Sequence, residues 1–123
     1  MDTARHSATK LLLVDDDPDY LEAMGELLEL VGVTAVTAQS VMEAQAVLTS
    51  EEPDILLIDR LLGDDDGEAF ARQIVGAVNG QLRVALLTGA SISERKQADL
   101  VQSGIAVLVK PVDAKRLGEF LGC

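Results

Sequence analysis

The stretch "LLLVDDDPDY", residues 11–20, runs four apolar residues straight into three consecutive aspartates. Four Leu and Val residues without alternation suit a strand covered on both faces. The aspartates pose a charge problem. Two carboxylates about 4 Å apart repel by about 1 kcal/mol in water and about 4 kcal/mol at an effective dielectric of about 20. A helix start absorbs part of that charge. Pro18 suits the first helical position, which makes Asp17 the N-cap and places Asp19 in the first turn, where the helix dipole favours negative charge. Asp15 and Asp16 remain at the strand end and call for a cation.

Four further apolar runs follow at near-regular spacing: VTAV (33–36), ILLI (55–58), VALL (84–87) and IAVLV (105–109). Between them lie stretches of helical periodicity. Leu21, Met24, Leu28 and Val31 share one face, as do Phe70, Ile74 and Val78, and later Leu117, Phe120 and Leu121. Gly32 and Gly104 each follow a helical stretch and precede a strand, where a left-handed C-cap is expected. The pattern is β-α repeated five times. Strands joined by helical crossovers pair in parallel, with right-handed connections and helices on both faces.

In such a sheet ligands collect at the carboxyl ends of the strands. Those ends carry Asp15-Asp16, Asp59, Thr88 and Lys110-Pro111, while the second strand ends in the bland Thr37-Ala38, as an edge strand would. Carboxylates, a hydroxyl and an ammonium converging on one edge suit a divalent cation and a phosphoryl group. Magnesium is usually held by one or two carboxylates with phosphate oxygens and water.

The chain has 123 residues, 48% apolar and 25% charged, with a formal net charge of −11. That is the size of one domain. Residues 1–9 read as a frayed lead-in and residues 10–123 as the domain. The acidic balance and scattered basic residues argue against nucleic-acid binding, which needs clustered Lys and Arg. No run is long enough to span a membrane, and the N-terminal segment lacks a signal-peptide core. The lone cysteine, Cys123, allows no internal disulfide, so a cytoplasmic location is expected. His6, the single histidine, reads as a solvated bystander.

At these residues the sequence resembles the receiver domain of two-component response regulators, over about residues 10–121. The resemblance rests on "VDDDP", on Asp59 in "LLIDRLLGDDDG", on Thr88 in "LLTGA" and on "VLVKP", in order and each at a strand end. It implies a flavodoxin-like α/β fold, a five-stranded parallel sheet in the order 2-1-3-4-5. It implies a phosphoacceptor signalling domain rather than an enzyme, one that assists only its own phosphorylation and dephosphorylation. Asp59 would take a phosphoryl group from the phosphohistidine of a sensor kinase or histidine phosphotransfer protein. Asp16 and Asp59 would ligate Mg²⁺ directly, Asp15 mostly through water, and the Leu61 carbonyl would complete the protein ligands. Thr88 and Lys110 would hold phosphoryl oxygens, and a cis peptide before Pro111 would aim Lys110 into the pocket. A homodimer through helices 4 and 5 is a further implication.

Three positions depart from the common family pattern. Gly63 stands where proline is usual, followed by Asp64, Asp65 and Asp66, which implies a more mobile loop. Val107 stands where many members carry an aromatic ring that swings inward, so a signal would pass through the Thr88–Ala90 loop and helix 4, or the output face would change little. Leu61 and Ala90 stand where family side chains influence attack by water, and their apolar character implies a slowly hydrolysing phosphoryl group. Asp66-Gly67 reads as a turn and helix start, and Glu51, Glu52, Asp64 and Asp65 as solvated loop residues.

An EF-hand reading fails because the loop's sixth position, which needs glycine, is Tyr20. A haloacid-dehalogenase-type phosphotransferase fails because Leu61 stands where a second aspartate is required. A receiver-like scaffold whose phosphorylation no longer drives output stays open through Val107. Stand-alone receiver, phosphorelay shuttle and excised portion of a longer regulator all fit this length.

Overall fold

The computed structural model describes residues 9–77 and 82–122. The element order is β1 (Thr9–Val14), α1 (Pro18–Leu30), β2 (Val33–Ala38), α2 (Val41–Glu51), β3 (Ile55–Asp59), β4 (Leu61–Leu62), β5 (Asp65–Asp66), α3 (Gly67–Ala77), β6 (Arg83–Thr88), α4 (Glu94–Gln102), β7 (Ile105–Val109) and α5 (Ala114–Leu121). The main sheet runs β2-β1-β3-β6-β7 with every pairing parallel. Counting only those five strands, this is the expected order 2-1-3-4-5. β4 and β5, which the sequence did not suggest, form a small antiparallel ladder in the loop after Asp59.

The unbroken apolar runs are explained by the two layers. Leu11, Leu13, Ile55 and Leu57 pack with Leu21, Met24 and Leu28 of α1 and Leu117 of α5. Their neighbours Leu12, Val14, Leu56 and Ile58 pack with Ala44 of α2, Phe70 and Ala71 of α3 and Leu100 of α4. Successive strand side chains point to opposite faces, so a central strand with helices on both sides must be apolar throughout. β1 and β3 meet this fully. The edge strands β2 and β7 are only partly covered.

Local sequence sets the boundaries. Asp17 caps α1, its Oδ1 accepting from the Asp19 amide at 3.0 Å, with Pro18 at the helix start. Ser40, Ser93 and Asp113 cap α2, α4 and α5 in the same way. Gly32 and Gly104 take φ values of +87° and +90°, the left-handed conformation expected after a helix.

Four readings change. Val31 is the C-cap of α1 and is 42% exposed, so the buried stripe ends at Leu28. Thr9 pairs with Val33, so β1 begins inside the segment read as lead-in. Asp65 is half-buried and its Oδ2 accepts from the Val41 amide at 3.1 Å, tying the β4–β5 loop to α2. Glu51 closes α2 and pairs with Lys10 at 3.0 Å. His6, Val78 and Cys123 lie outside the described residues.

Candidate functional site

Strand register gathers the proposed residues at one sheet edge. The Asp15 amide donates to Ala38 O at 3.1 Å, the Arg60 amide to Leu87 O at 2.8 Å and the Lys110 amide to Thr88 O at 2.8 Å. These bonds continue the parallel ladders past the last strand residues, so Asp15, Asp59, Thr88 and Lys110 emerge side by side. The Lys110–Pro111 peptide is cis.

Asp15, Asp16 and Asp59 each offer a carboxylate oxygen, and these oxygens all lie within 4.8 Å of one another. Asp15 is 1% exposed, while Asp59 is partly covered and Asp16 faces solvent. The Lys110 ammonium donates to Asp15 Oδ2 at 2.6 Å and to Asp59 Oδ2 at 3.1 Å. Asp15 Oδ1 accepts from the Asp17 amide at 2.9 Å, so both its oxygens are engaged. Among the described residues, one cation, paired with two of them, thus stands against three carboxylates. A compact cluster of hard oxygen donors with an excess of negative charge fits Mg²⁺.

The electrostatics follow the crowding. Burial pushes the Asp59 carboxyl above its ordinary range, against the opposing pull of Lys110 and a bond from the Leu61 amide. Burial alone would lower the Lys110 ammonium, but its bonds to Asp15 and Asp59 hold it above its ordinary value. Both shifts are those of a compressed acidic pocket with Lys110 as its built-in counter-charge.

Thr88 is 4% exposed, and its hydroxyl bonds within its own loop, donating to Ala90 O at 2.8 Å and accepting from the Ala90 amide at 3.3 Å. Leu61 is 67% exposed and Ala90 is exposed too, so apolar side chains flank the mouth of the site. Val107 packs into the core on the face shared with Leu86 and Leu100. Gly63 takes a φ of +58°, which proline cannot adopt, so this loop follows its own backbone path. A Cβ there would stand 3.4 Å from Asp16 Oδ2.

Three features escape a sequence reading. A Cβ on Gly67 would overlap the Asp59 carbonyl oxygen, so the start of α3 packs directly on the backbone of Asp59. Glu68 is ringed by Arg60 at 3.1 Å, Arg72 at 3.3 Å and Lys96 at 2.8 Å, and Arg72 reaches on to Asp99 at 2.7 Å. This links the residue after Asp59 to α4. The ring of Tyr20 lies under the Lys110 ammonium, 4.2 Å from nitrogen to centroid. The only sequence signal for these was position: Gly67 and Glu68 open a helix, and Tyr20 lies in the first turn of another.

Comparison with known proteins agrees with this fold. A family model described as "Response regulator receiver domain" matches residues 11–121. Transcriptional regulatory protein GlrR of Escherichia coli (strain K12) is 34% identical over 113 residues, covering 91% of this chain and 25% of that protein. Photosynthetic apparatus regulatory protein RegA of Cereibacter sphaeroides is 30% identical over 107 residues, covering 87% of this chain and 58% of that protein. The chain therefore spans only part of the length of these curated relatives. Among solved structures, a response regulator receiver domain protein from Clostridium thermocellum superposes with a TM-score of 0.82 at 26% identity, covering 93% of this chain and 91% of that one. A CheY-like receiver domain protein from Methanospirillum hungatei gives 0.81 at 26% identity, covering 94% and 92%. Among the described residues no helix is long and apolar enough to cross a membrane. With the sheet order, the strand-end residues and a family match over nearly its whole length, the chain belongs to the response regulator receiver domain family.

Proposed function

We propose that this chain is a phosphoacceptor: Asp59 accepts a phosphoryl group from a partner's phosphohistidine in a Mg²⁺-dependent reaction, as a switch or phosphorelay element. The observation that carries this reading is the Lys110 ammonium bridging Asp15 and Asp59, with Asp16 in the same oxygen cluster. An Asp59 oxygen attacks phosphorus, the phosphorus–nitrogen bond breaks, and the imidazole leaves with its bonding electrons and takes up a proton. The product is an acyl phosphate on Asp59. Positioning and charge stabilisation supply most of the rate in such transfers.

Asp16, Asp59 and the Leu61 carbonyl would hold Mg²⁺ directly. Asp15, whose two oxygens already accept hydrogen bonds, suits a role through water. When bound, the ion neutralises charge on the transferred group and its acceptor. Lys110 holds one phosphoryl oxygen, and Thr88 another after its hydroxyl leaves Ala90. The exposed apolar side chains of Leu61 and Ala90 give an attacking water no hydrogen-bond partner, which favours a long-lived acyl phosphate.

The donor is a sensor histidine kinase or a histidine phosphotransfer protein, and the domain's own chemistry is limited to gaining and losing this group. A homodimer through α4 and α5 is supported by family likeness alone. Val107 favours a second reading, a scaffold that is phosphorylated without a change of output face. Titrating beryllofluoride, a phosphoryl mimic, with and without Mg²⁺ tests the first. A Mg²⁺-dependent shift of Thr88–Ala90 and α4 resonances, lost in Asp59→Asn, supports a working receiver; no response in the wild type refutes it.

A further inference from the structure

Lys110 ends a long, flexible, strongly hydrated side chain, and such a group rarely holds one position unaided. Here its ammonium is confined on several sides. Asp15 and Asp59 accept its hydrogen bonds at 2.6 and 3.1 Å, and the Tyr20 ring stands 4.2 Å away. Tyr20 is the third residue of α1, at the far end of the sequence from Lys110. Its hydroxyl oxygen is buried and has no hydrogen-bond partner among the described residues. The contact with the site is therefore made by the ring face and not by the hydroxyl.

We propose that Tyr20 is a positioning residue for phosphorylation of Asp59, its ring forming a wall that holds the Lys110 ammonium where the phosphoryl oxygens gather. A ring face attracts a cation electrostatically, more strongly when water is excluded. It also removes water from one side of the ammonium, which strengthens the ammonium's field on the opposite side, at Asp59. A leucine or methionine at this position fills space but offers no negative face. Lys110 then gains rotamer freedom and water, and each phosphoryl group meets a less ordered counter-charge.

The inference rests on the receiver chemistry proposed above. Its test is a comparison of Tyr20→Phe, Tyr20→Leu and Tyr20→Met with the wild type in the whole chain. Three quantities are measured: the rate of phosphorylation by phosphoramidate with Mg²⁺, bound beryllofluoride by fluorine NMR, and the proton shifts of the Lys110 methylene beside the ammonium. The phenylalanine variant keeps the upfield ring-current shift and reacts within about twofold of the wild type, whereas the leucine and methionine variants lose the shift and slow by about tenfold. The methionine variant, with its adaptable side chain, keeps the comparison available if leucine packs badly. Because Tyr20 is the single tyrosine and there is no tryptophan, tyrosine emission from the wild type also reads this one ring. It changes when Mg²⁺ and beryllofluoride are added.

Folded leucine and methionine variants that react at the wild-type rate overturn the inference, as does a phenylalanine variant slowed as much as they are. A wild type that binds no beryllofluoride overturns the receiver chemistry and this inference with it. Normal beryllofluoride binding with unchanged ringless variants overturns the inference alone.

Discussion

Gly67 leaves no room for a side chain between itself and Asp59: a Cβ at Gly67 would overlap the Asp59 carbonyl oxygen and stand 3.1 Å from the Arg60 carbonyl oxygen. The Gly67 amide also donates to Arg60 O at 2.9 Å, so the first turn of α3 is fixed to the Asp59–Arg60 backbone by contact and by hydrogen bond. Gly67→Ala is expected to destabilise the fold by about 2 kcal/mol or more through overpacking against backbone that cannot yield cheaply. Urea denaturation measures this. The folded fraction of the variant should also show displaced Asp59 and Arg60 amide resonances, whereas Gly76→Ala, with open space around it, should not.

The crowding of Asp59 predicts a pH dependence. Its carboxyl is harder to ionise in the folded chain than in the unfolded one, chiefly through burial. Without divalent ions, the wild type therefore loses stability as pH rises from the unfolded carboxylate's range, about 4, through the raised value of Asp59. Asp59→Asn removes that loss. In EDTA the variant should be the more stable protein at neutral pH, and its advantage should vanish in acid. Urea midpoints across this range decide it, and a variant less stable than wild type at neutral pH contradicts the assignment.

Glu68 has the opposite sign. Burial pushes its carboxyl up, but hydrogen bonds from Lys96, Arg60 and Arg72 hold it below its ordinary range. Its stabilisation is fully present above the unfolded glutamate value, about 4.3, and is lost as pH falls through the lowered one. Glu68→Gln should cost about 1 kcal/mol at neutral pH, since the cations around it remain partly exposed. That cost should fade in acid and in high salt. Amide exchange in the first turn of α4, where Lys96 lies, should quicken in the variant at neutral pH.

The division proposed among the three aspartates after β1, a cap at Asp17 and a Mg²⁺ site at Asp15 and Asp16, is open to test by substitution. Asp17 caps α1 through its bond from the Asp19 amide, so Asp17→Ala should cost about 1 kcal/mol and leave Mg²⁺ binding intact. Asp16 faces solvent within the oxygen cluster, so Asp16→Ala should abolish Mg²⁺-dependent phosphorylation with little change in stability. Isothermal titration with Mg²⁺ beside thermal melts checks both. Loss of Mg²⁺ binding in a folded Asp17→Ala protein would overturn the partition.

Much of this was legible because a doubly wound sheet writes itself into sequence. Its central strands must be apolar throughout, as Leu11–Val14 and Ile55–Ile58 are, and its ligand edge must carry the polar residues that follow. Asp15, Asp59, Thr88 and Lys110 were readable on that ground, as was the division of Asp17 from its neighbours. What escaped depends on contacts between distant elements. Tyr20 under Lys110, Gly67 against Asp59 and Lys96 beside Glu68 leave no periodicity and no spacing rule. Helical spacing places Val31 one step past Leu28 on the same face, but α1 ends at Leu30 and Val31, its C-cap, turns outward. Asp65 looked like loop charge because nothing local shows that α2 presents an amide to it.

The central claim is that Asp59 is the phosphoryl acceptor and that the acidic cluster makes its reaction depend on Mg²⁺. The most direct measurement is intact-protein mass spectrometry after incubation with phosphoramidate, with Mg²⁺ or with EDTA. The wild type should gain the mass of one phosphoryl group with Mg²⁺ and none in EDTA, and Asp59→Asn should gain none in either. A phosphoryl group on Asp59→Asn, or equal labelling of the wild type in EDTA, would contradict it.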